Sequence, residues 1–195
     1  MRFGMKWALG AVVLAGGLAN PALAQQYGSG SNFAGFRAEA QVGYDRFLSE
    51  GDHDQALGYG GAIGWDGVLD DRVVVGAEYS FFNARNENCT TPGPGQSVCR
   101  KSFEEHGLNA RAGLVLTRST MVYAKAGIAI NEQRKRLDAV SGSFYNHYHT
   151  KGWALGGGIE QSFGQLLYGN VEYRYVNYAT NSSRHRIMAG VGIRF

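Results

Sequence analysis

Ser102, Glu104 and His106 occupy alternate positions in the middle of the chain and carry a hydroxyl, a carboxylate and an imidazole. These are the groups from which nucleophiles and proton-transfer relays are assembled. On an extended strand, residues two apart share a face but stand about 7 Å from one another, too far for the backbone to set a hydrogen bond and within reach only of bent side chains. A polar rim at the end of a strand needs the same spacing, and that reading is favoured. His147 and His149, in FYNHYHT, would present two imidazoles on one side of an extended segment. A zinc site needs a third or fourth ligand, and none is close in sequence, so a surface loop is favoured over a metal centre. The run Arg134, Lys135, Arg136 suits phosphate as its counter-charge, and suits a solvated loop equally well.

Cys89 and Cys99 flank TTPGPGQSV and are the chain's two cysteines, so no thiolate metal site can be completed. In an exported protein such a pair reads as a disulfide, worth about 2 to 3 kcal/mol if unstrained.

Export is what the start of the chain implies. Arg2 and Lys6 precede an apolar run from Trp7 to Ala19, then Asn20-Pro21 and the small-residue end Ala22-Leu23-Ala24. This is the pattern of a secretory signal peptide over residues 1–24, cut before Gln25. The run is broken by Gly10, Gly16 and Gly17 and stops at Pro21, short of the roughly 20 residues a spanning helix needs. Removing it takes two bases and no acid, so the formal charge falls from +3 to +1, which gives no support to a nucleic-acid partner. Residues 25–195 suffice for one domain. They hold no stretch resembling a membrane helix, so if this domain lies in a membrane it must be a closed barrel.

The rest of the chain alternates with period 2. Expected strands begin near Phe33, Leu57, Val73, Phe103, Val122, Trp153, Leu167 and Arg186, eight in all. Each keeps one apolar parity, as in Leu108, Ala110, Ala112, Leu114 and Leu116. Several run to ten residues or more, beyond the five or six usual in soluble sheets. The connections alternate between polar loops, expected at Ser49 to Gln55, around the cysteines and at Asn131 to Thr150, and short turns. The opposite parity collects Arg37, Glu39, Asp45, Glu78, Arg111, Lys125, Glu160, Glu172, Arg174, Arg186 and Arg194. If the apolar parity faces lipid, these charges point inward, and near-equal numbers of each sign permit pairing. Trp65, Phe163 and Phe195 then form one aromatic belt, and Tyr59, Phe81, Trp153 and Tyr175 the other. At eight strands side chains about fill the interior, so a plug of salt bridges is favoured over an ion pathway.

The final stretch, RIMAGVGIRF, sets Ile187, Ala189, Val191, Ile193 and Phe195 on one face. It resembles the closing strand of bacterial outer-membrane barrels, in which a terminal aromatic residue behind alternate apolar positions is the assembly signal, here Val191, Ile193 and Phe195. Together with VVGAEYSF, YAKAGIAI, GGGIE and VEYRYVNY, the region from about 33 to 195 resembles the small outer-membrane β-barrel family that includes the opacity-protein-like porins and related alphaproteobacterial proteins. The resemblance implies an all-β, eight-stranded antiparallel up-and-down transmembrane barrel in the outer membrane of a Gram-negative bacterium. It also implies partners: outer-membrane lipid, lipopolysaccharide and the barrel assembly machinery. The family is functionally mixed. A non-enzymatic, porin-like surface or structural barrel acting through its external loops is ranked first, a narrow channel for small solutes second and a lipid-modifying enzyme third. Ser102, Glu104 and His106 do not match the motif of the lipid A deacylases, no cofactor is expected, and the chain ends with the barrel, so no wall-anchoring module is implied.

Overall fold

A computed structural model describes residues 32–49, 52–93, 96–139, 142–179 and 182–195, with side chains described outside 49, 52–54, 85–93, 96–103, 133–139 and 142–148. Nearly all of these residues are strand: β1 (Gly35–Ser49), β2 (Asp52–Asp70), β3 (Val73–Gly93), β4 (Gln96–Val115), β5 (Thr120–Ala139), β6 (Gly142–Phe163), β7 (Leu167–Tyr178) and β8 (Ser182–Arg194). Every neighbour in sequence is an antiparallel neighbour in space, and β1 also pairs with β8 from Arg37↔Arg194 to Ser49↔Ser182, so the sheet closes on itself. Phe36 and Phe195 extend that seam by exchanging backbone hydrogen bonds of 2.8 and 2.9 Å. Closure removes the exposed edges that an open sheet would present to lipid.

The connections differ at the two ends. Asp70 to Val73, Val115 to Thr120 and Phe163 to Leu167 are tight turns. In the second, the Thr117 hydroxyl accepts hydrogen bonds from the amides of Ser119 and Thr120 at 3.3 and 3.0 Å, a local turn motif typical of threonine. At the other end the strands extend much further than their apolar parity. The segments expected as polar loops at Ser49 to Gln55, around the cysteines and at Asn131 to Thr150 are instead largely strand, with β5 and β6 registered as far as Ala139↔Gly142. The physical reason is that a hairpin standing in water has two wet faces and no apolar parity to mark it, while residues such as Thr, Val, Phe and Tyr still favour extended backbone.

The alternation survives in three dimensions. Outward side chains such as Val42, Ile63, Leu108, Ile159, Val171 and Val191 are more than half exposed, whereas their neighbours on the other parity are buried. Among the described residues the inside holds three apolar clusters: Phe33 with Val74, Val115, Met121 and Tyr123 at the short-turn end; Phe82, Ala84 and Met188; and Phe47 with Ala129, Ala154, Val176 and Tyr178 toward the hairpins. Two glycines show how tight the wall is. Gly35 has φ +120°, and a Cβ there would stand 2.7 Å from the Phe195 carbonyl oxygen. A Cβ on Gly58 would meet Phe82 Cε1 at 2.4 Å.

Phe82 is held by the Arg186 guanidinium, 3.8 Å from its ring centroid, and has little room to retreat. Gly58→Val is therefore expected to cost about 1 to 3 kcal/mol by overpacking, read as a lower urea midpoint for the barrel refolded in detergent or bilayers.

Candidate functional site

The lumen is where the chain concentrates polar chemistry. Each strand turns one residue in two inward, and at many of those positions the residue is ionisable. Among the described residues, seven carboxylates (Glu39, Asp45, Asp66, Glu78, Glu105, Glu160, Glu172) and seven cations (Arg37, Arg111, Lys125, Arg174, Arg184, Arg186, Arg194) are buried. Charges of this kind withdrawn from water are tolerable only when paired and hydrogen-bonded, and they form tiers.

Nearest the short turns, Asp66 Oδ2 lies 3.0 Å from Arg37 Nε, 2.8 Å from Arg111 Nη1 and 3.2 Å from Arg194 Nη2. Glu160 takes the remaining arms of Arg111 and Arg194 at 2.6 and 2.9 Å. The next tier is built on Glu78, which accepts from Arg37 Nη2 at 2.6 Å and from Lys125 Nζ at 2.7 Å. Lys125 also reaches Glu172 at 2.6 Å, and the Tyr123 hydroxyl donates to the same carboxylate at 2.9 Å. Glu39 accepts from Gln41, Tyr168 and Asn170. Arg174 is different: its hydrogen bonds, 2.9 Å to Ser80 Oγ and 3.3 Å to Asn109 Oδ1, go to neutral groups. Toward the hairpins, Arg184 and Arg186 clamp Asp45 at 3.0 and 2.9 Å and Glu105 at 3.2 and 3.0 Å, and Tyr178 donates to Glu105.

The eleven charges assigned inward from parity all belong to these tiers. Sequence reasoning missed Asp66, Glu105 and Arg184. Glu105 stands on the same parity as Asn109 and Arg111, so its signal was present. Asp66 and Arg184 were lost because strand ends were drawn too short.

The candidate catalytic triplet is not assembled as a relay among the described groups. His106 Nδ1 is 2.7 Å from the Tyr79 hydroxyl, and its ring lies 5.4 Å from that of Phe81. The β4–β5 register shifts between Ser102 and Glu105, so even spacing no longer fixes one face for Ser102, Glu104 and His106. The side chains of Ser102 and His147 lie outside the described residues, His149 is exposed, and no metal-binding group occurs among the described residues. β3 and β4 register Cys89 opposite Cys99, but the disulfide expected there lies outside the described residues. Signal-peptide residues 1–24 lie outside them too. Register also sets Lys101 beside Arg134, Arg100 beside Lys135 and Cys99 beside Arg136. Val191, Ile193 and Phe195 face outward on β8, and Phe195 stacks on Phe36 with centroids 6.3 Å apart.

An apolar outer wall, a polar interior, aromatic rings at both margins and a closed seam define a transmembrane β-barrel of the outer membrane. The comparisons agree. The chain belongs to the outer membrane protein beta-barrel domain family, whose model matches residues 10–195. It is 30% identical over 140 residues to the 25 kDa outer-membrane immunogenic protein of Brucella ovis, covering 70% of this chain and 62% of that protein. The chain thus spans less than two thirds of that relative's length. In fold it is similar to Ail of Yersinia pestis (TM-score 0.58, 13% identity, 83% of this chain and 99% of that one). It is likewise similar to Neisserial surface protein A (TM-score 0.56, 14% identity, 83% and 98%).

The tiers differ in what they lose on substitution. Asp66→Ala takes one carboxylate partner from each of three buried arginines, leaving each with another, and is expected to destabilise by about 3 to 5 kcal/mol. Arg174→Met leaves only neutral groups unpaired and is expected to cost about 1 to 3 kcal/mol. Urea unfolding of the refolded barrels, followed by heat-modifiable gel migration, ranks the two.

Proposed function

We propose that the protein is a non-enzymatic, porin-like surface barrel that supports the outer membrane and engages anionic surface polysaccharide, lipopolysaccharide included, through its outer hairpins. One observation carries this reading: the lumen is packed with paired charges that water does not reach, while β3–β4 and β5–β6 continue as hairpins well past the outer aromatic belt. From Ile128 to Ala139 on β5 is roughly 35 Å at about 3.3 Å per residue. On the β4–β5 ladder, Lys101 and Arg100 are registered opposite Arg134 and Lys135. Like charges directly opposite one another destabilise a sheet, and a multivalent anion would relieve that cost. Ail has been crystallised with the heparin analogue sucrose octasulfate, an anion of this kind. Two observations speak against conduction: Phe33 is fully buried in the short-turn mouth, and the side chains of Arg37, Asp66 and Glu78 are wholly inaccessible.

Replacing Arg134, Lys135 and Arg136 together by Glu is expected to abolish retention on a heparin column at low salt. Planar bilayers containing the unaltered protein are expected to show no stepwise conductance, and lipid A from cells expressing it no change in mass. Unchanged retention by the charge-reversed protein would defeat the polysaccharide reading. Stable conductance steps would defeat the non-channel one.

We further propose that residues 1–24 are removed on export, that Cys89 and Cys99 form a cross-strand disulfide bracing the β3–β4 hairpin, and that the assembly machinery reads the outward ridge Val191, Ile193, Phe195. The intact mass of protein taken from the membrane checks the first two. It should match residues 25–195 less two hydrogens, and should gain them on reduction. Phe195→Ala should lower the yield of folded barrel in cells while leaving detergent refolding intact, and a normal yield in cells would remove the third.

A further inference from the structure

On the lipid-facing wall, β7, β8, β1 and β2 enclose an apolar groove of about 500 Å³. Its sides are Val42, Tyr44, Leu57, Val171 and Ile187, and Ala189 keeps it open because a methyl group stands where neighbouring outward positions carry larger chains. On the hairpin side of the groove, the next outward residues on β1 and β8 after Tyr44 and Ile187 are Arg46 and His185, which are register partners. Arg46 is exposed and makes no ion pair among the described residues. His185 is held by its neighbours: Nδ1 is 2.7 Å from the Tyr173 hydroxyl, leaving Nε2 for a ligand. Its ring stands 4.9 Å from that of Tyr175, which meets Trp153 edge-on at 5.4 Å.

We infer that this groove is a specific site for one phosphorylated glycolipid of the outer leaflet, with an acyl chain along the groove, its phosphate on Arg46 and His185, and its sugar against Tyr175 and Trp153. Each part meets the matching chemistry. The groove's exposed lining is almost wholly apolar, the cation and imidazole lie at the interface where a headgroup phosphate sits, and an arginine guanidinium binds phosphate in bidentate fashion. The aromatic strip beside them offers flat apolar faces to a pyranose ring, which selects a glycolipid over a glycerophospholipid. The inference rests on the lipopolysaccharide-facing placement proposed above but uses none of the basic hairpin residues.

Native mass spectrometry of the detergent-solubilised full-length protein with purified bis-phosphorylated lipid A tests it. The unaltered barrel should retain one lipid A. Arg46→Gln should weaken retention about tenfold, the scale of one lost charge-assisted hydrogen bond. Ala189→Trp should abolish it with Arg46 in place, and Val42→Trp, filling the groove from β1, serves if the first variant does not fold. Dephosphorylated lipid A should bind the unaltered protein no better than lipid A binds Arg46→Gln. Retention unaffected by all three substitutions would overturn the site. Equal retention of phosphatidylglycerol would overturn the glycolipid assignment. If binding survives in the groove variants but is lost when Arg134, Lys135 and Arg136 become Glu, the hairpin reading stands and the groove site falls.

Discussion

The constraint on which everything else depends is that no backbone N–H or C=O can be left unpaired in hydrocarbon, where each would cost several kcal/mol. A sheet meets it only by having no edge. The β1–β8 ladder is therefore more than one pairing among eight, because it converts an open sheet into a wall. Once the wall is closed, the period-2 alternation of side chains becomes a division between two solvents: lipid for one parity and an enclosed lumen for the other. Sequence parity, hydrogen bonding and membrane insertion are then one requirement expressed three ways.

Closing eight strands creates a second problem. Among the described residues the inward side chains are buried against one another, and they are too polar to make an oily core. Balanced charge resolves it, since seven acids and seven bases are buried among the described residues. Carboxylates are shared rather than matched one to one: Asp66 serves three arginines and Glu78 both Arg37 and Lys125. Sharing lets a single carboxylate tie together β1, β4 and β8, strands that the hydrogen-bond ladder alone does not all join. The aromatic rings take part as well, with Arg111 lying 4.0 Å over Tyr123 and Arg186 3.8 Å over Phe82, so that guanidinium faces not used in hydrogen bonds are still covered. Such a network is a poor source of net stability compared with apolar packing, but breaking it is costly. Most of its ion pairs run between strands, so a slip in register would separate them.

Most of this architecture was legible in the sequence because lipid imposes a strong pattern. Strand number and the outward face follow from apolar parity, and the antiparallel up-and-down order from the resemblance to outer-membrane barrels. What was missed lay where that pattern stops. Arg184 lies between the polar Ser183 and His185, and Asp66 directly precedes the stretch from Gly67 to Asp71 that reads as a turn, although β2 runs on to Asp70, so parity gives no reason to extend either strand to include them. Glu105 was legible, standing on the inward parity of β4, but the outward residues on either side of it, Glu104 and His106, drew the reading toward chemistry on the opposite face. Two wet faces leave the hairpins no hydrophobic period, so the sequence predicts loops there, although the backbone still prefers a ladder to a solvated coil. The lipid-facing groove had no sequence signature at all. It depends on Ala189, Val42 and Val171 coming together from three strands, a juxtaposition fixed by register.

The same division explains where this fold can carry function. Outward positions within the membrane must stay apolar, and inward positions must keep their charge balance, so neither is free to evolve a new site without first endangering the barrel. Two zones escape. Beyond the outer belt the hairpins escape the demand for an apolar face, and their ladder registers like-charged residues such as Arg100 and Lys135 opposite one another. At the belt itself, an outward residue meets headgroups rather than acyl tails, so Arg46, His185 and the rings of Tyr173, Tyr175 and Trp153 are compatible with the wall and still chemically distinctive. With the lumen filled by buried side chains among the described residues, these two zones are where the fold has most room to be specific.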